Sequence, residues 1–497
     1  MIEKSKIPAK KAEQKDYFSL FSKTLSCIFA VLSLIFIIRV ALFNFLPAKF
    51  FWPLLLVLGI LNLAFLHTTF TKGTKKLHTI LFDIFASIIS IGLVISGLKL
   101  NELSGFIDKN FIKEKKYSVY NVIVNKKSKS EKMGDLKGGE IFTYDEPVKE
   151  VKNKDLESAI QKEIEGSSIS FRDELDIVMD RAANLEDAGS VVNNGTYESY
   201  ISVNEDYADK IKIIGEIKIE VKDNDDSEEE EVINSDLDKT PFLLLISGID
   251  TRTGTMPTRS LSDVNILAAV NPKTKNITLT AIPRDMYVQL HGTTGLRDKL
   301  THAGAQGGVE LTKSTIEDFI GLKIDRYIRV NFNFVTDLVD NIGGITVTND
   351  LDRTLKLDGC VYQPGDNAVD GKCALRFARE RKSYTTGDRH RGENQEQVIT
   401  KIVDKISHDK AIIADSGKIL NVMNGSFNTN ISSDDIKALI KMQLSDMSSW
   451  KTESYNINGS GSLTKTFSYP NQNLYVMIPD ENTIATAKEK LSKTLEK

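Results

Sequence analysis

Cysteine and histidine are scarce in this sequence, which has three cysteines and six histidines among its 497 residues. Cys27 lies inside an apolar run, and Cys360 and Cys373 have no further cysteine or cluster of histidines to complete a tetrahedral zinc site. The histidines of the C-terminal half lack an accompanying serine or cysteine in a recognisable nucleophile elbow. These absences argue against a structural zinc site and against a serine or cysteine hydrolase.

A general excess of positive charge is also missing, because 64 lysines and arginines are balanced by 68 aspartates and glutamates, for a net charge of −4. One basic cluster stands out, in the segment ARERKSYTTGDRHRGENQ from Ala378 to Gln395. It lacks the aromatic interleaving on which nucleic-acid bases stack. We therefore expect no nucleic-acid partner, and the cluster needs another explanation.

Most of the long apolar runs lie in the first hundred residues. Three of them reach the length of about 20 residues that a bilayer requires: Thr24–Leu46, Phe50–Phe70 and Leu77–Leu98. A cleaved signal peptide has a single short apolar core, so these runs predict three transmembrane helices. Lysines precede the first run and lie between the second and third, and the positive-inside rule places both lysine-bearing segments in the cytoplasm. Three crossings then put everything after Lys99 outside the cell, in a multi-pass membrane protein.

The composition divides the chain into five parts. Residues 1–100 are the membrane region, and residues 101–221 are predicted to form a small mixed α/β accessory module. The run KDNDDSEEEEVINSDLDKT, residues 222–240, is typical of a solvated acidic linker. Strands then alternate with helices, which predicts an α/β domain whose helices cover a central sheet. We place its core at 241–409 and its C-terminal part at 410–497.

Two aspartates stand at the ends of predicted strands in this domain. Asp250 ends the apolar segment FLLLISGID, and Asp263 precedes the strand VNILAAV. Ligands of α/β sheets collect where the strands end, and Mg²⁺ is commonly held by one or two carboxylates together with substrate phosphates. The two acids are therefore a candidate magnesium site, with ordinary turn aspartates as the alternative.

Several arginines are predicted to lie near these acids. Arg284 follows a strand, and the segment CALRFARER is predicted to be a strand that ends with Arg379 and Arg381 on one face. Arg389 and Arg391 precede a predicted helix, whose free N–H groups favour anions. Guanidinium groups suit bidentate contacts with phosphate, so these arginines and Mg²⁺ are predicted to hold a pyrophosphate. The alternatives are a solvated basic surface or a contact with anionic lipid.

The motifs of the domain resemble those of the LytR–CpsA–Psr family. The resemblance covers roughly residues 241–409 and rests on six segments in order: LLLISGID, SDVNILAAVNPKTKNITLTAIPRDMYV, DKLTHAGAQGG, VDNIGGITV, GKCALRFARER and GDRHRGENQ. Three spans followed by an additional module are similar to the branch of the family linked to streptococcal capsule synthesis. The resemblance implies a domain on the outer face of a Gram-positive-type membrane.

The family implies a phosphotransferase that moves a glycopolymer from a polyprenyl pyrophosphate carrier to peptidoglycan with the help of Mg²⁺. The polymer implied is capsule polysaccharide, teichoic acid or a related chain, with capsule or wall assembly proteins as candidate partners. Two alternatives stay open. One is a pyrophosphatase that hydrolyses the carrier linkage, and the other is a non-enzymatic membrane regulator or scaffold of polymer assembly.

The resemblance also assigns roles to residues of this chain. Asp250 and Asp263 correspond to the metal-side acids, and the arginines that grip the pyrophosphate correspond to Arg284, Arg379, Arg381 and Arg391. Asp263 and Asp388 are both candidates for the base. The chain departs from the family at two positions, since Leu261 and Asn394 stand where many members have arginine. Arg259 becomes the candidate for the first of these contacts, and Gln395 corresponds to a glutamine of the family.

Cys360 and Cys373 flank a loop of the domain that is predicted to lie outside the cell. An oxidising exterior permits a disulfide between them. Two small buried thiols are the alternative.

Overall fold

The computed structural model describes residues 17–71, 76–110, 116–146, 149–221, 236–250, 256–384, 387–409 and 427–496. The chain separates into two compact units. One consists of Met1–Phe106 and Ile440–Asp446, and the other of Ile107–Leu439 and Met447–Lys497. Most of the predicted acidic linker, residues 222–235, lies outside the described residues, as do residues 410–426 at the start of the predicted C-terminal part.

The first unit contains three long apolar helices, α1 (Tyr17–Phe43), α2 (Ala48–Phe70) and α3 (Lys76–Asn110). All three are long and apolar enough to cross a membrane, which confirms the number of spans predicted from the sequence. The acid inside the third span is paired, because the Ser22 hydroxyl donates to the Asp83 carboxylate at 2.6 Å. Such pairing reduces the cost of a charged group at this depth.

The accessory module is a five-stranded mixed sheet with the strand order β3–β2–β4–β1–β5. Its strands are β1 (Lys116–Asn125), β2 (Glu140–Tyr144), β3 (Ser168–Arg172), β4 (Ala188–Asn193) and β5 (Ile211–Val221). Its helices are α4 (Asn153–Glu163), α5 (Leu175–Asn184) and α6 (Asn194–Val203), with short 3-10 helices at Met133–Leu136 and Glu205–Asp209. Apolar side chains are buried on both faces of the sheet, as two separate clusters. The prediction of a mixed α/β module is therefore confirmed.

The main domain is built on a six-stranded sheet with the order β16–β11–β6–β7–β8–β17. These strands are β6 (Phe242–Ile249), β7 (Val264–Asn271), β8 (Asn276–Ala281), β11 (Arg326–Asn331), β16 (Phe427–Thr429) and β17 (Lys451–Asn456). The three central strands β6, β7 and β8 are antiparallel neighbours, whereas β11 and β17 join parallel to β6 and β8. This order brings the loop between β6 and β7 to one edge of the sheet, next to the turn that follows β8.

Helices cover both faces of this sheet, as predicted. They are α7 (Leu300–Ile320), α8 (Phe332–Asn341), α9 (Gly371–Arg379), α10 (Asp388–His408), α11 (Ser433–Asp446) and α12 (Glu481–Leu495). Residues of α7 and α12 such as Ile316 and Leu491 are buried against one face. Ile399 of α10 and Ile436 of α11 pack against the other face. Burial on both sides explains why the central strands β6 and β7 are almost continuously apolar.

Among the described residues, this domain also has four sheets of two strands each. They pair β9 (Tyr287–Val288) with β10 (Asp298–Lys299), β12 (Ile345–Asn349) with β15 (Gly365–Val369), β13 (Leu355–Leu357) with β14 (Cys360–Tyr362), and β18 (Gly459–Lys465) with β19 (Asn473–Pro479). A disulfide between Cys360 and Cys373 joins β14 to α9, with the Cα atoms 5.6 Å apart. Of the two interpretations of these cysteines, the structure therefore supports the disulfide.

The prediction that CALRFARER is a strand is wrong, because its first seven residues lie in the helix α9 and Arg381 follows the helix. Asp370 caps the helix by accepting a hydrogen bond from the Cys373 N–H at 2.8 Å. Ala374, Phe377 and Ala378 then fall on one buried face at helical spacing. The N-cap and the buried apolar face stabilise a helix here, although the alternation of residues along the segment had suggested a strand.

Candidate active site

The antiparallel pairing of β6 with β7 brings the two candidate metal-side acids together. Gly248 near the end of β6 lies opposite Val264 at the start of β7, and the Asp263 N–H donates to the Gly248 carbonyl at 2.9 Å. A Cβ added to Gly248 would stand 2.8 Å from the Val264 Cβ, so glycine permits this close approach. Asp250 follows the end of β6 by one residue, and both acids therefore lie at the same edge of the sheet.

These acids line a cavity of about 240 Å³ into which four predicted arginines also project. Four parts of the chain contribute: the β6–β7 loop with the start of β7, the turn after β8, the start of α8 and the segment from the end of α9 to the first turns of α10. The lining residues are Asp250, Asp263, Val264, Arg284, Phe332, Arg379, Arg381, Arg391 and Gln395. Four guanidinium groups outnumber two carboxylates, so the cavity suits a polyanion such as pyrophosphate.

Each acid of the cavity is paired with one arginine. The Arg284 Nη1 donates to the Asp263 Oδ1 at 2.7 Å, and the Arg379 Nη2 donates to the Asp250 Oδ2 at 3.0 Å. The Arg379 guanidinium also lies over the Phe332 ring, 4.4 Å from its centroid. Both ion pairs are partly open to solvent, and such pairs are held weakly. Because such pairs contribute little free energy, exchanging them for contacts with a ligand costs little.

Helix α10 adds its N-terminal end to the cavity. Arg391 lies in the first turn, and its N–H donates to the Gly387 carbonyl at 3.2 Å. Gln395 lies four residues later, on the same face of the helix. Asp388 and Arg389 begin the helix, but their side chains lie outside the described part of the chain. The role of Asp388 as a candidate base therefore stays a prediction.

Arg259 is not among the residues that line the cavity, and the structure contradicts the prediction that it contacts pyrophosphate. Its side chain is buried, with 7% exposed, and its Nη1 donates to the Glu146 Oε2 of the accessory module at 2.5 Å. Its Nε donates to the Ala305 carbonyl at 2.8 Å. The sequence held no signal for this pairing, because Glu146 precedes Arg259 by 113 residues.

Two buried acids lie next to residues of the cavity, and the sequence assigned a role to neither of them. Asp285 lies between Lys299 and Arg284, with its Oδ1 3.0 Å from the lysine Nζ and its Oδ2 3.8 Å from the arginine Nε. Glu396 accepts hydrogen bonds from the Ala281 N–H at 3.0 Å and from the Asn456 side chain at 3.3 Å. Burial raises the pKa of Glu396 to about 8. It ties α10 to the ends of β8 and β17.

Comparison with known proteins decides the family. A model of the LytR_cpsA_psr family matches residues 211–493, which is more than half of the chain. The chain belongs to the LytR–CpsA–Psr family. The match confirms the resemblance drawn from the motifs and extends beyond residues 241–409 in both directions.

Two named relatives agree with this assignment, and one solved structure is similar to part of the chain. The polyisoprenyl-teichoic acid–peptidoglycan teichoic acid transferase TagU of Enterococcus faecalis is 35% identical over 232 residues, which cover 46% of this chain and 74% of that protein. TagU of Bacillus subtilis is 32% identical over 262 residues, which cover 52% of this chain and 79% of that protein. The crystal structure of B. subtilis TagV aligns with 52% of this chain and 98% of its own, at 31% identity and a TM-score of 0.44.

Proposed function

We propose that this LytR–CpsA–Psr protein is a phosphotransferase that moves a cell-envelope glycopolymer from a polyprenyl pyrophosphate carrier to peptidoglycan. The observation that carries the proposal is the cavity in which four arginines surround two aspartates. The names of the relatives, which are teichoic acid transferases acting between a polyisoprenyl-linked polymer and peptidoglycan, support the substrate class. The polymer is teichoic acid or, as the additional module suggests, capsule polysaccharide.

The arrangement of charges fits the requirements of phosphoryl transfer. The oxygen of an acceptor hydroxyl forms a bond to the sugar-linked phosphorus, and the bond from that phosphorus to the bridging oxygen breaks, which releases the lipid phosphate. Negative charge gathers on the transferring group and on the leaving phosphate. Arg284, Arg379, Arg381 and Arg391 are placed to neutralise it. The hydroxyl proton passes to a carboxylate, for which Asp263 and Asp388 are the candidates.

Mg²⁺ is the proposed cofactor, and Asp250 and Asp263 would hold it. Among the described residues no group of three or more acidic, histidine or cysteine side chains is arranged to hold a metal ion. Two carboxylates facing a phosphate-binding cavity nevertheless fit Mg²⁺, whose other ligands are commonly phosphate oxygens and water. When bound, the ion adds positive charge at the phosphates.

We place the catalytic domain on the outer face of the membrane and the N-terminus in the cytoplasm. The three apolar helices support a membrane anchor. The lysines before the first span and between the second and third support the orientation. Peptidoglycan and the lipid-linked polymer would then be accessible from the same side as the cavity.

A transfer assay tests the proposal and separates it from its rivals. The full-length protein in lipid nanodiscs is incubated with labelled polyprenyl-pyrophosphate-linked polymer, peptidoglycan and Mg²⁺. Label attached covalently to peptidoglycan is the expected result. Release of the polymer without attachment would instead indicate a pyrophosphatase, and absence of turnover would favour a non-enzymatic regulator.

The same assay tests the metal proposal. Chelation of divalent cations is expected to stop transfer, and added Mg²⁺ should restore it. Asp250→Asn and Asp263→Asn should each raise the Mg²⁺ concentration needed for half-maximal rate. An unchanged Mg²⁺ dependence in both variants would contradict the assignment of these ligands.

A further inference from the structure

The accessory module forms hydrogen bonds with the loop that ends in Asp263. Glu198 of α6 accepts a hydrogen bond from the Ser260 hydroxyl at 2.6 Å and another from the Leu261 N–H at 2.9 Å. These two residues precede Asp263 by three and two positions. We call residues 257–263 the acid-bearing segment, because they lead directly into the carboxylate that lines the cavity.

Glu198 is itself partly buried and surrounded by donors. Asn194, on the same helix, donates to its Oε1 at 3.0 Å, in addition to the two donors of the acid-bearing segment. Burial raises the pKa of Glu198 to about 7, and the hydrogen bonds from Ser260 and Leu261 oppose that rise. A partly buried carboxyl with three donors has one well-defined position, so it is suited to holding a loop in place.

A second acid of the module holds the same segment one residue earlier. Glu146 forms the buried ion pair with Arg259, and the Arg259 Nη2 also donates to Thr196 of α6 at 3.2 Å. The Arg259 carbonyl accepts from the Asn194 side chain at 3.3 Å. Arg259, which motif comparison suggested as a phosphate ligand, thus connects the module to the acid-bearing segment.

The backbones of the accessory module and the main domain are also in close contact. A Cβ built on Gly195 of α6 would overlap the Ala305 carbonyl and stand 2.9 Å from the Arg259 Cβ. The Thr258 N–H donates to the Tyr117 carbonyl of β1 at 3.0 Å, and its hydroxyl donates to Glu150 at 2.8 Å. The contact is therefore a packed interface and not an isolated salt bridge.

The main domain holds the opposite side of the segment. The buried Arg329 of β11 donates to the Thr258 carbonyl at 3.0 Å. The N–H groups of Ser260 and Ser262 donate to the carbonyls of Gly304 and Thr301, at 3.1 and 3.2 Å. The segment is consequently clamped between α7 and β11 of the main domain and α6 of the module.

We propose that the accessory module is a positioning element for the active site, in which Glu198 and the Glu146–Arg259 pair hold the acid-bearing segment and thereby set the place of Asp263 beside Arg284. Glu198, Glu146 and Arg259 are positioning residues that act through the segment. The kinetic consequence rests on the proposed phosphotransferase function, whereas the structural consequence does not.

The experiment uses the full-length protein in nanodiscs and the variant Glu198→Ala. Amide hydrogen exchange followed by mass spectrometry should show faster exchange in peptides covering residues 257–263, with exchange in α10 unchanged. In the transfer assay kcat should fall by about 10- to 100-fold, since a small misplacement of a reacting group has effects of this size. The KM for the lipid-linked donor should change by less than about twofold, because the arginines stay in place.

Three further variants make the result specific. Glu198→Gln keeps an acceptor for Leu261 and should retain most of the activity. Gly195→Ala removes no polar group but separates the two surfaces, and it should reproduce the effects of Glu198→Ala. The matched control is Glu165→Gln, which alters an exposed ion pair with Lys137 elsewhere in the module and should behave as wild type.

A double-mutant comparison tests whether Glu198 acts through Asp263. In the Asp263→Asn background, Glu198→Ala should lower the remaining rate by less than about twofold, since residues that act as one unit are not additive. If Glu198→Ala lowered the rate by the same factor in both backgrounds, the proposal would be overturned. Unchanged local exchange in Glu198→Ala would also overturn it, as would an increase in exchange across the whole chain, which would indicate a merely structural role.

The outcomes also separate this proposal from the proposed function. If the wild-type protein transfers no polymer, the phosphotransferase proposal fails, and the exchange data alone decide whether the module holds the segment. If the wild type is active and Asp263→Asn has a much lower rate, while Glu198→Ala keeps full kcat, the positioning proposal fails and the function stands.

Discussion

Arg376 and Arg379 stand one helical turn apart on α9 but have different surroundings. Arg379 projects into the cavity, where it meets Asp250 and the face of Phe332. Arg376 instead pairs with Asp358 on the surface. The two arginines therefore offer a matched comparison within one helix, in which the charge removed is the same and the location differs.

We expect Arg379→Ala to lower kcat in the transfer assay by about 10²- to 10³-fold, the usual cost of removing one electrostatic donor from a reacting site. Arg376→Ala should leave kcat within about twofold of the wild type, because its ion pair is exposed and contributes little. Equal losses in both variants would show that α9 matters through its stability and not through Arg379.

The buried Glu396 predicts a pH dependence of stability. Its pKa rises from the usual 4.5 to about 8 on folding, so the unfolded chain releases this proton at a lower pH than the folded chain. The contribution of Glu396 to the free energy of unfolding is complete below about pH 4.5. It is lost as the pH rises through about 8. The melting temperature should therefore fall across this window, and the fall should be shallower in Glu396→Gln.

Thermal unfolding of the full-length protein in detergent at several pH values measures this effect. Glu310→Gln is a suitable control, because Glu310 is exposed and pairs with Lys313 at 3.5 Å. It should keep the wild-type pH dependence. Glu198, whose pKa burial raises to about 7, adds to the same trend, so some slope should remain in Glu396→Gln. An unchanged slope in that variant would contradict the prediction.

Among the elements, α9 is attached to the small hairpin by both a disulfide and apolar packing. The bond between Cys360 and Cys373 fastens α9 to β14, and the last residue of α9 is the arginine that reaches the cavity. Cys360, Tyr362 and Phe377 are buried in one apolar cluster around this bond. The position of Arg379 therefore depends on packing between a helix and a small hairpin outside the central sheet.

Removing this bond with the double substitution Cys360→Ser and Cys373→Ser should destabilise the domain. A loop of this length corresponds to roughly 3 kcal/mol in the chain-entropy model. We expect a lower melting temperature and a reduced kcat, since the end of α9 becomes less ordered. Cys27→Ser should have neither effect, because Cys27 is not in the disulfide. Identical melting with and without reductant in the wild type would contradict this prediction.

At the scale of the whole molecule, the proposed orientation can be tested by cysteine labelling in intact cells. In a Cys27→Ser background, Lys137→Cys places a thiol at an exposed position of the accessory module. A membrane-impermeant maleimide should label it. Lys10→Cys, in the lysine-rich N-terminus, should be labelled only after the cells are opened. Labelling of position 10 but not position 137 in intact cells would indicate the opposite orientation.

Several properties followed from the sequence because their physical causes are local. An apolar run of about 20 residues in a bilayer must satisfy its own backbone hydrogen bonds, so it forms a helix. Continuous apolar segments between turn residues predicted the central strands in the same way. The ordered motifs identified the family, together with the aspartates and arginines that gather at the cavity, because motif comparison needs no three-dimensional information.

Other properties depended on contacts between distant residues. Nine residues of CALRFARER were compatible with a strand or a helix, and the Asp370 cap and the buried face decided for the helix. Arg259 lies within a family motif, but its partner Glu146 comes from a separate module. Glu198 likewise meets Ser260 only after folding. The sequence by itself determined the membrane helices, the family and the chemical groups of the site, whereas tertiary structure decided which arginines face the cavity, because that choice depends on which opposite charges folding brings within reach.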